Sequence, residues 1–333
     1  MEFAAKLLRA AFIIIAFVIT YESSTVIHEL GHLVMGRLTG YRLVTFRIGP
    51  VSLTKEEGRL KLRCTGNIKG TGGQCVMMPP ESDSPENVPT ALYYFGGGLF
   101  NILTALIAFP MGFLSHNLYV KVFLLILAVV ASAQAIMNLI PSKLIAANDG
   151  YNMKLLHRSP ADRVTLYNSL SISGHPELSY SEMPERYFTI RDEGEYSCIT
   201  YLLRGVCLMD CGKYGEAEEM LRKCVGTDGD PLDLNRLEAS SYLLLCLLLR
   251  NAGADEIEKV FNVELEKYLA VSKARQMDKR LIMYAYQLLY CKNSKAAEAE
   301  YSAMLKLKGS TSKGDVKTYL RLAEEVRKRA EAV

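Results

Sequence analysis

The sequence predicts an α-helical membrane protein of three spans with a small membrane-associated β region, followed by an all-α domain of helical repeats. Three observations lead there. Residues 89 to 120 and residues 122 to 142 contain no Asp, Glu, Lys or Arg, and each run meets the length of about 20 apolar residues that a spanning helix needs. From residue 157 onward, acidic and basic residues recur every few positions in helix-like patterns. Between the first and second apolar segments, residues 41 to 78 alternate in the manner of strands.

The first span is the least regular. "AAFIIIAFVITY" (10 to 21) covers only about 18 Å as a helix. To cross a bilayer it must continue through Glu22 and two histidines, so one helix from about Leu7 to Leu38 is expected. No small-residue cleavage site follows the apolar run, which argues against a secretory signal peptide. Spans two and three are expected at about 90–114 and 118–140, with Pro141 ending the third.

Loop charge sets the orientation. Arg42, Arg47, Lys55, Arg59, Lys61, Arg63 and Lys69 lie between spans one and two, whereas the link between spans two and three holds His116 and, at its edge, Lys121. The basic loop and the C-terminal half are therefore expected in the cytosol and the N-terminus outside. Within the loop, "RLVTFRIG" and "RLKLRC" read as strands, with "KEEG" as a turn between them and the glycine-rich "KGTGG" after them. An edge strand there would be able to pair with an extended peptide, and a purely structural hairpin fits the same pattern.

The C-terminal half, residues 157 to 333, reads as stacked helices. In "LLRGVCLMDCGKYGEAEEMLRKC", Gly205, Ala217 and Leu221 fall at the small, small and large packing positions of a tetratricopeptide-like helix pair, with Gly212 at the turn. Ala285, Ala297 and Tyr301 repeat those intervals. "EASSYLLLCLLLRNAG" and "IEKVFNVELEKYLAV" supply another apolar pair, and "VKTYLRLAEEVRKRAEAV" reads as a polar capping helix. A stack of this kind predicts a cytosolic protein or peptide partner; a plain helical bundle is the alternative.

A net charge of +3 and the lack of a basic, aromatic-laced patch argue against nucleic acid as a partner. Six of the eight cysteines lie in the C-terminal half at spacings that fit neither a paired metal motif nor a disulfide framework. They read as buried thiols in a reducing compartment.

Chemistry enters at "TVIHELGHLVMG" (25 to 36). On a helix, His28 and His32 are four apart and project from one face, close enough to hold one zinc ion. Glu29 beside them is placed to take a proton from a water that the metal acidifies, the arrangement of a metallopeptidase. Two histidines and an acid at hydrocarbon depth cost several kcal/mol unless they are paired or metal-bound, so the position itself points to function. Arg37 marks the cytosolic edge, about 8 Å along the helix from His32.

Zinc needs a third protein ligand and an open position. A third histidine six residues after His32 would mark one soluble class, but that position is Leu38, and the early acids Glu56 and Glu57 sit in the polar turn. In "NLIPSKLIAANDGYNM" (138 to 153), Asn148-Asp149-Gly150 places a carboxylate where the chain turns back after Pro141, which makes Asp149 the expected third ligand.

With these residues the sequence resembles the site-2 protease family of intramembrane zinc metalloproteases. Its members carry HExxH in one span and Asp-Gly at the end of a later one, near an Asn-x-x-Pro. "GYRLVTFRIGP" (40 to 50), "GTGGQCVMMPPE" (70 to 81) and "FGGGLFN" (95 to 101) resemble further segments of that family, the last with Gly98 in place of proline. The resemblance covers about residues 20 to 153. It implies one zinc per chain on His28, His32 and Asp149, Glu29 as the catalytic residue, and substrate contacts by Asn138 and Asn101; each asparagine reads equally as an interhelical hydrogen-bonding residue.

The expected activity is hydrolysis of a peptide bond in a membrane-anchored protein near its cytosolic end, in regulated intramembrane proteolysis or the clearance of remnant peptides, at a prokaryotic plasma membrane. The alternative is a membrane-anchored scaffold in which the protease core is vestigial and the repeats recruit partners. A transporter with a structural metal site fares worst, since three spans leave little room for a pathway. Glu22, seven residues before Glu29 and nearly on the same helical face, stays without a role.

Overall fold

The computed structural model describes residues 2–56, 59–64, 72–143, 147–226 and 234–332. Part of the expected "KEEG" turn, Lys69, and the first two residues of the "GTGG" stretch lie outside the described residues. Two compact units are present, Met1–Arg163 and Val164–Val333.

In the first unit, helix α1 runs over Glu2–Leu38. Its packed positions are all small or polar: Ala16, Thr20, Ser24, Thr25, His28, Glu29, Gly31, His32 and Gly36, most of them at the three- and four-residue spacing of one face. Ile13, Ile14, Phe17 and Val18 are exposed. Burying small residues while exposing large apolar ones is the distribution that suits hydrocarbon, where close backbone approach rather than hydrophobic burial drives packing. Helices α2 (Ala91–Leu114) and α3 (Leu118–Leu139) follow the same rule. All three are long and apolar enough to cross a membrane. Helix α1 starts five residues earlier than the sequence predicts, because Glu2 in its first turn and its ion pair with Lys6 extend the helix at the exposed end.

Helices α1 and α2 cross at glycine. A Cβ added to Gly31 would stand 2.2 Å from the Gly96 carbonyl oxygen, and one added to Gly96 2.4 Å from that of Gly31. Helix α3 begins at Asn117, whose side chain accepts from the backbone N–H groups of Tyr119 and Val120.

Between α1 and α2 lie four antiparallel strands, β1 (Arg42–Ile48), β2 (Val51–Glu56), β3 (Arg59–Cys64) and β4 (Gly73–Met78), in the spatial order β3-β2-β1-β4. Gly49, at φ +51°, turns β1 into β2, pairing Ile48 with Val51. Strand β4 returns to pair with β1, with an irregularity at Leu43/Thr45. It packs on α1, where Met77 fills the space left by Gly36. After α3, helix α4 (Asp149–Arg158) closes the unit.

The second unit is all helical among the described residues. It begins within α5 (Pro160–Ser173) and continues as α6 (Ser197–Asp210), α7 (Tyr214–Gly226), α8 (Leu234–Leu249), α9 (Ala254–Val260), α10 (Val263–Ser272), α11 (Met277–Ala285), α12 (Ser294–Lys306) and α13 (Lys313–Glu331). Gly205 on α6 meets Leu221 on α7, where an added Cβ would be 2.7 Å from the leucine Cγ, and Gly212 makes the intervening turn at φ +76°. Helix α8 is buried on almost every side from Tyr242 to Leu249.

A charged cluster sits inside this core. The fully buried Lys279 ammonium donates to Glu238 at 2.7 Å, Asp278 at 2.7 Å and Ser241 at 3.0 Å, and Tyr242 donates to Asp278 at 3.1 Å. Burial works against the Lys279 charge, but the Asp278 and Glu238 carboxylates outweigh it and raise its pKa.

The cysteine expectation is corrected here. Cys198 and Cys224 form a disulfide with a Cα–Cα distance of 4.4 Å, since the pairing of α6 with α7 brings together positions 26 apart in sequence. Cys75, Cys207 and Cys246 are buried free thiols, and Cys211 and Cys291 are exposed.

Candidate metal centre

The centre is assembled from α1 and α4 with α2 as its wall. The helical spacing of His28 and His32 brings their Nε2 atoms to 3.1 Å. Asp149 Oδ2 stands 3.2 Å from His28 Nε2 and 3.3 Å from His32 Nε2. A tetrahedral ion with bonds of about 2.0–2.1 Å separates its donors by about 3.3–3.4 Å. The three atoms therefore form one face of such a tetrahedron, and the donor set of two imidazoles and a carboxylate suits zinc. Among the described residues this is the group of His, Cys, Asp and Glu side chains able to hold an ion.

Asp149 is delivered by a latch that the sequence only hints at. Helix α3 ends at Leu139, and the Asn148 side chain donates to the carbonyls of Met137 and Ile140, each at 2.7 Å. The same side chain accepts from Ser142 N at 3.1 Å and caps α4 through Tyr151 N at 2.9 Å. Because Asn148 does the capping, the Asp149 carboxylate is free to face the histidines. Gly150 lets α4 approach, since a Cβ there would fall 2.1 Å from the Leu139 carbonyl oxygen. Burial pushes the Asp149 carboxyl up, but hydrogen bonds and charge from His28 and His32 outweigh it and hold the group at about 2.

Both histidines are buttressed. His32 Nδ1 lies 2.7 Å from the Tyr93 carbonyl oxygen. A carbonyl can only accept, so the ring carries its proton on Nδ1 and leaves the Nε2 lone pair for a metal. The Tyr93 hydroxyl donates to Cys75 O on β4 at 2.6 Å, and its ring stacks on Tyr41. Gly97 supplies the room, because a Cβ there would be 2.5 Å from both His28 Cε1 and His32 Nε2. The run "FGGGLFN" thus serves three contacts: Gly96 against Gly31, Gly97 against the histidines and Gly98 against Leu139.

Glu29 is buried beside the histidines, within electrostatic reach of both and of Asp149. Its side chain lies under Gly73 of β4, where a Cβ would be 2.6 Å from the carboxylate, and it makes no hydrogen bond among the described residues. Arg47, buried on β1, donates to the carbonyls of Gly49 and Gly73 and feels the Glu29 charge. Burial pushes the thiol of Cys75, on neighbouring β4, up to about 12.

Of the other residues singled out in the sequence, Asn101 abuts the centre, whereas Asn138 bonds within its own helix. Asn101 is wholly buried, its amide nitrogen 3.3 Å from His28 Nδ1. Asn138 is half-buried on α3 and donates to the Gln134 carbonyl of its own helix at 3.0 Å. Glu22 is exposed on α1 and has no hydrogen bond or ion pair among the described residues. Sequence reading missed Tyr93, Gln134 and the latching role of Asn148. Only Asn148 had a signal, its place in Asn-Asp-Gly; a backbone carbonyl leaves none.

Residues 13–117 match the model of Peptidase family M50, a family of metallopeptidases of the site-2 type. No curated protein and no solved structure matches the chain. The matched segment holds His28, Glu29, His32, the sheet and the glycine run, and stops before α3 and α4. Asp149 therefore joins the set by geometry alone.

Proposed function

We propose that this chain is an intramembrane zinc metalloendopeptidase that cuts a membrane-anchored protein near its cytosolic end, releasing a cytosolic fragment or clearing a remnant peptide. The observation that carries the reading is the triangle of His28, His32 and Asp149 donors, with the unpaired Glu29 carboxylate beside it on a helix apolar enough to span a bilayer. The donors come from two separate helices, and both imidazoles have a further polar neighbour at Nδ1, which supports a metal rather than a packing role.

Zinc bound there would supply a Lewis acid that acidifies water and polarises the scissile carbonyl. The residues do the rest. His32, held by Tyr93, and His28 keep their Nε2 atoms aimed inward. Glu29 takes the proton of the attacking water and returns it to the leaving amine. Its burial between α1 and Gly73 limits solvent access, and Arg47 adds a fixed positive charge nearby. Helical peptide bonds are shielded by their own hydrogen bonds, so the substrate must reach this site extended. The free side of β4 and Asn138 are the groups best placed to receive it.

The second unit reads as a tetratricopeptide-like stack that binds a cytosolic protein or peptide, supported by the meeting of Gly205, Ala217 and Leu221 at the expected positions. The basic loop favours a cytosolic placement of that unit in a prokaryotic plasma membrane.

The test compares membrane proteomes of cells making the native chain with cells making Glu29→Gln, which keeps the metal donors and removes the base. One or a few membrane proteins should accumulate at full length with the variant only, reflecting a loss of about 100-fold or more in cleavage. Identical proteomes, with both chains present and zinc-loaded, would refute the enzyme.

A further inference from the structure

We infer that Asn101 is a positioning residue for His28 rather than a substrate contact, and that Gln134 and Thr25 hold it to that task. The inference rests on the zinc reading above.

The Asn101 side chain is 0% exposed, so a substrate has no access to it. Its amide nitrogen lies 3.3 Å from His28 Nδ1 and 3.3 Å from Gln134 Oε1, and its oxygen accepts from Ser24 Oγ at 3.4 Å. Gln134 in turn donates to Thr25 Oγ1 at 3.2 Å, and Thr25 donates to the Tyr21 carbonyl at 3.0 Å. One chain of hydrogen bonds thus runs from α1 through α2 and α3 and back to α1, ending on a metal-facing imidazole.

Polarity gives the chain its purpose. With Asn101 nitrogen toward His28, the ring accepts at Nδ1 and carries its proton on Nε2, where it meets Asp149. Ligation through Nε2 demands the reverse, a proton on Nδ1 and an acceptor facing it. His32 obtains that acceptor from the Tyr93 carbonyl. For His28 the acceptor is the Asn101 oxygen, reached by turning the amide over.

Gln134 makes the turn permissible. Once the Asn101 oxygen faces His28, the same oxygen position faces Gln134, which turns over to donate to it. The Gln134 oxygen then faces Thr25, whose hydroxyl rotates to donate. Asn101 nitrogen is left to donate to Ser24. The amide oxygens and nitrogens exchange positions and the Thr25 hydroxyl gives up its bond to the Tyr21 carbonyl, but that carbonyl keeps its helical backbone N–H, so His28 can hold either tautomer without orphaning a buried polar group. An apolar residue at 134 would leave Asn101 with one neighbour fewer to fix its orientation.

The test measures zinc affinity of the full-length protein in detergent micelles by competition with a chelator. Asn101→Leu should weaken zinc binding by about 10- to 100-fold, the usual loss for a partner of a metal-bound histidine. Asn101→Asp should restore affinity to within about threefold of native, because a carboxylate is a standing acceptor for Nδ1–H. Gln134→Leu should weaken binding by about three- to tenfold alone and add nothing to Asn101→Asp, a coupling that a merely structural residue would not show.

Equal weakness of Asn101→Asp and Asn101→Leu would overturn the inference, and so would native affinity in Gln134→Leu should Asn101→Leu fail to fold. His28→Ala separates the two levels. If it abolishes zinc binding while Asn101→Leu does not, only the positioning role falls; if it keeps native affinity, the zinc reading falls with it.

Discussion

Gly97→Ala adds a single methyl group to α2 at the wall of the metal centre. The new Cβ would stand 2.5 Å from His28 Cε1, 2.5 Å from His32 Nε2 and 2.6 Å from His28 Nε2. Ordinary contact begins at 3.4 Å, so the rings must retreat by about 0.9 Å, several times the tolerance of about 0.2 Å on a metal–ligand distance. Helix propensity runs the other way, because alanine in a helix interior is favoured over glycine by about 0.5–1 kcal/mol. Overpacking costs about 1–3 kcal/mol, so the net change in fold stability is modest while the donor triangle is lost. Gly112→Ala on the same helix is the control, since its Cβ meets Leu125 at a mild 3.1 Å. Bound metal measured by mass spectrometry, with a chelator titration for affinity, should show Gly112→Ala near native and Gly97→Ala at least about 100-fold weaker. Zinc affinity in Gly97→Ala within threefold of native, in a folded protein, would refute the placement of the metal against α2.

Further outcomes concern the second unit. Lys279→Met leaves Glu238 and Asp278 facing each other without the ammonium between them. It should cost about 3–5 kcal/mol, seen as a fall of about 10 °C or more in the unfolding of this unit; an unchanged midpoint would show that the cluster is not a paired one. The same pair implies a pH dependence. Because the Lys279 pKa is raised on folding, its contribution is complete below the unfolded lysine value of about 10.4 and is lost as pH rises through the folded value. Placement is tested by a fluorescent protein fused after Val333, which should fluoresce if the terminus is cytosolic. A dark fusion would reverse the proposed orientation.

Much of the molecule is legible in the chain because its signals are local. Runs without charge mark the second and third long apolar helices, since hydrocarbon disfavours charge over a fixed length. His28, Glu29 and His32 declare themselves because helix geometry alone places residues four apart on one face. Asp149 needed more: its type and position after Pro141 made it eligible, and only the fold of α4 against the end of α3 brings its oxygen to 3.2 Å from His28. The cysteines show the opposite case, for the pairing of Cys198 with Cys224 depends on how α6 and α7 lie together and leaves no mark in their spacing.

The sequence by itself determined the number of the long apolar helices, the pair of histidines with their glutamate, and the helical character of the C-terminal half. These follow from periodicity and from the cost of charge in hydrocarbon, both properties of neighbouring residues. The tertiary structure alone decided the Asn148 latch, the clearance at Gly97, the Tyr93 carbonyl facing His32, and the link from His28 through Asn101 and Gln134 to Thr25. Each joins residues far apart in the chain, through a backbone oxygen, a missing side chain or an amide whose use depends on what the folded chain sets opposite it.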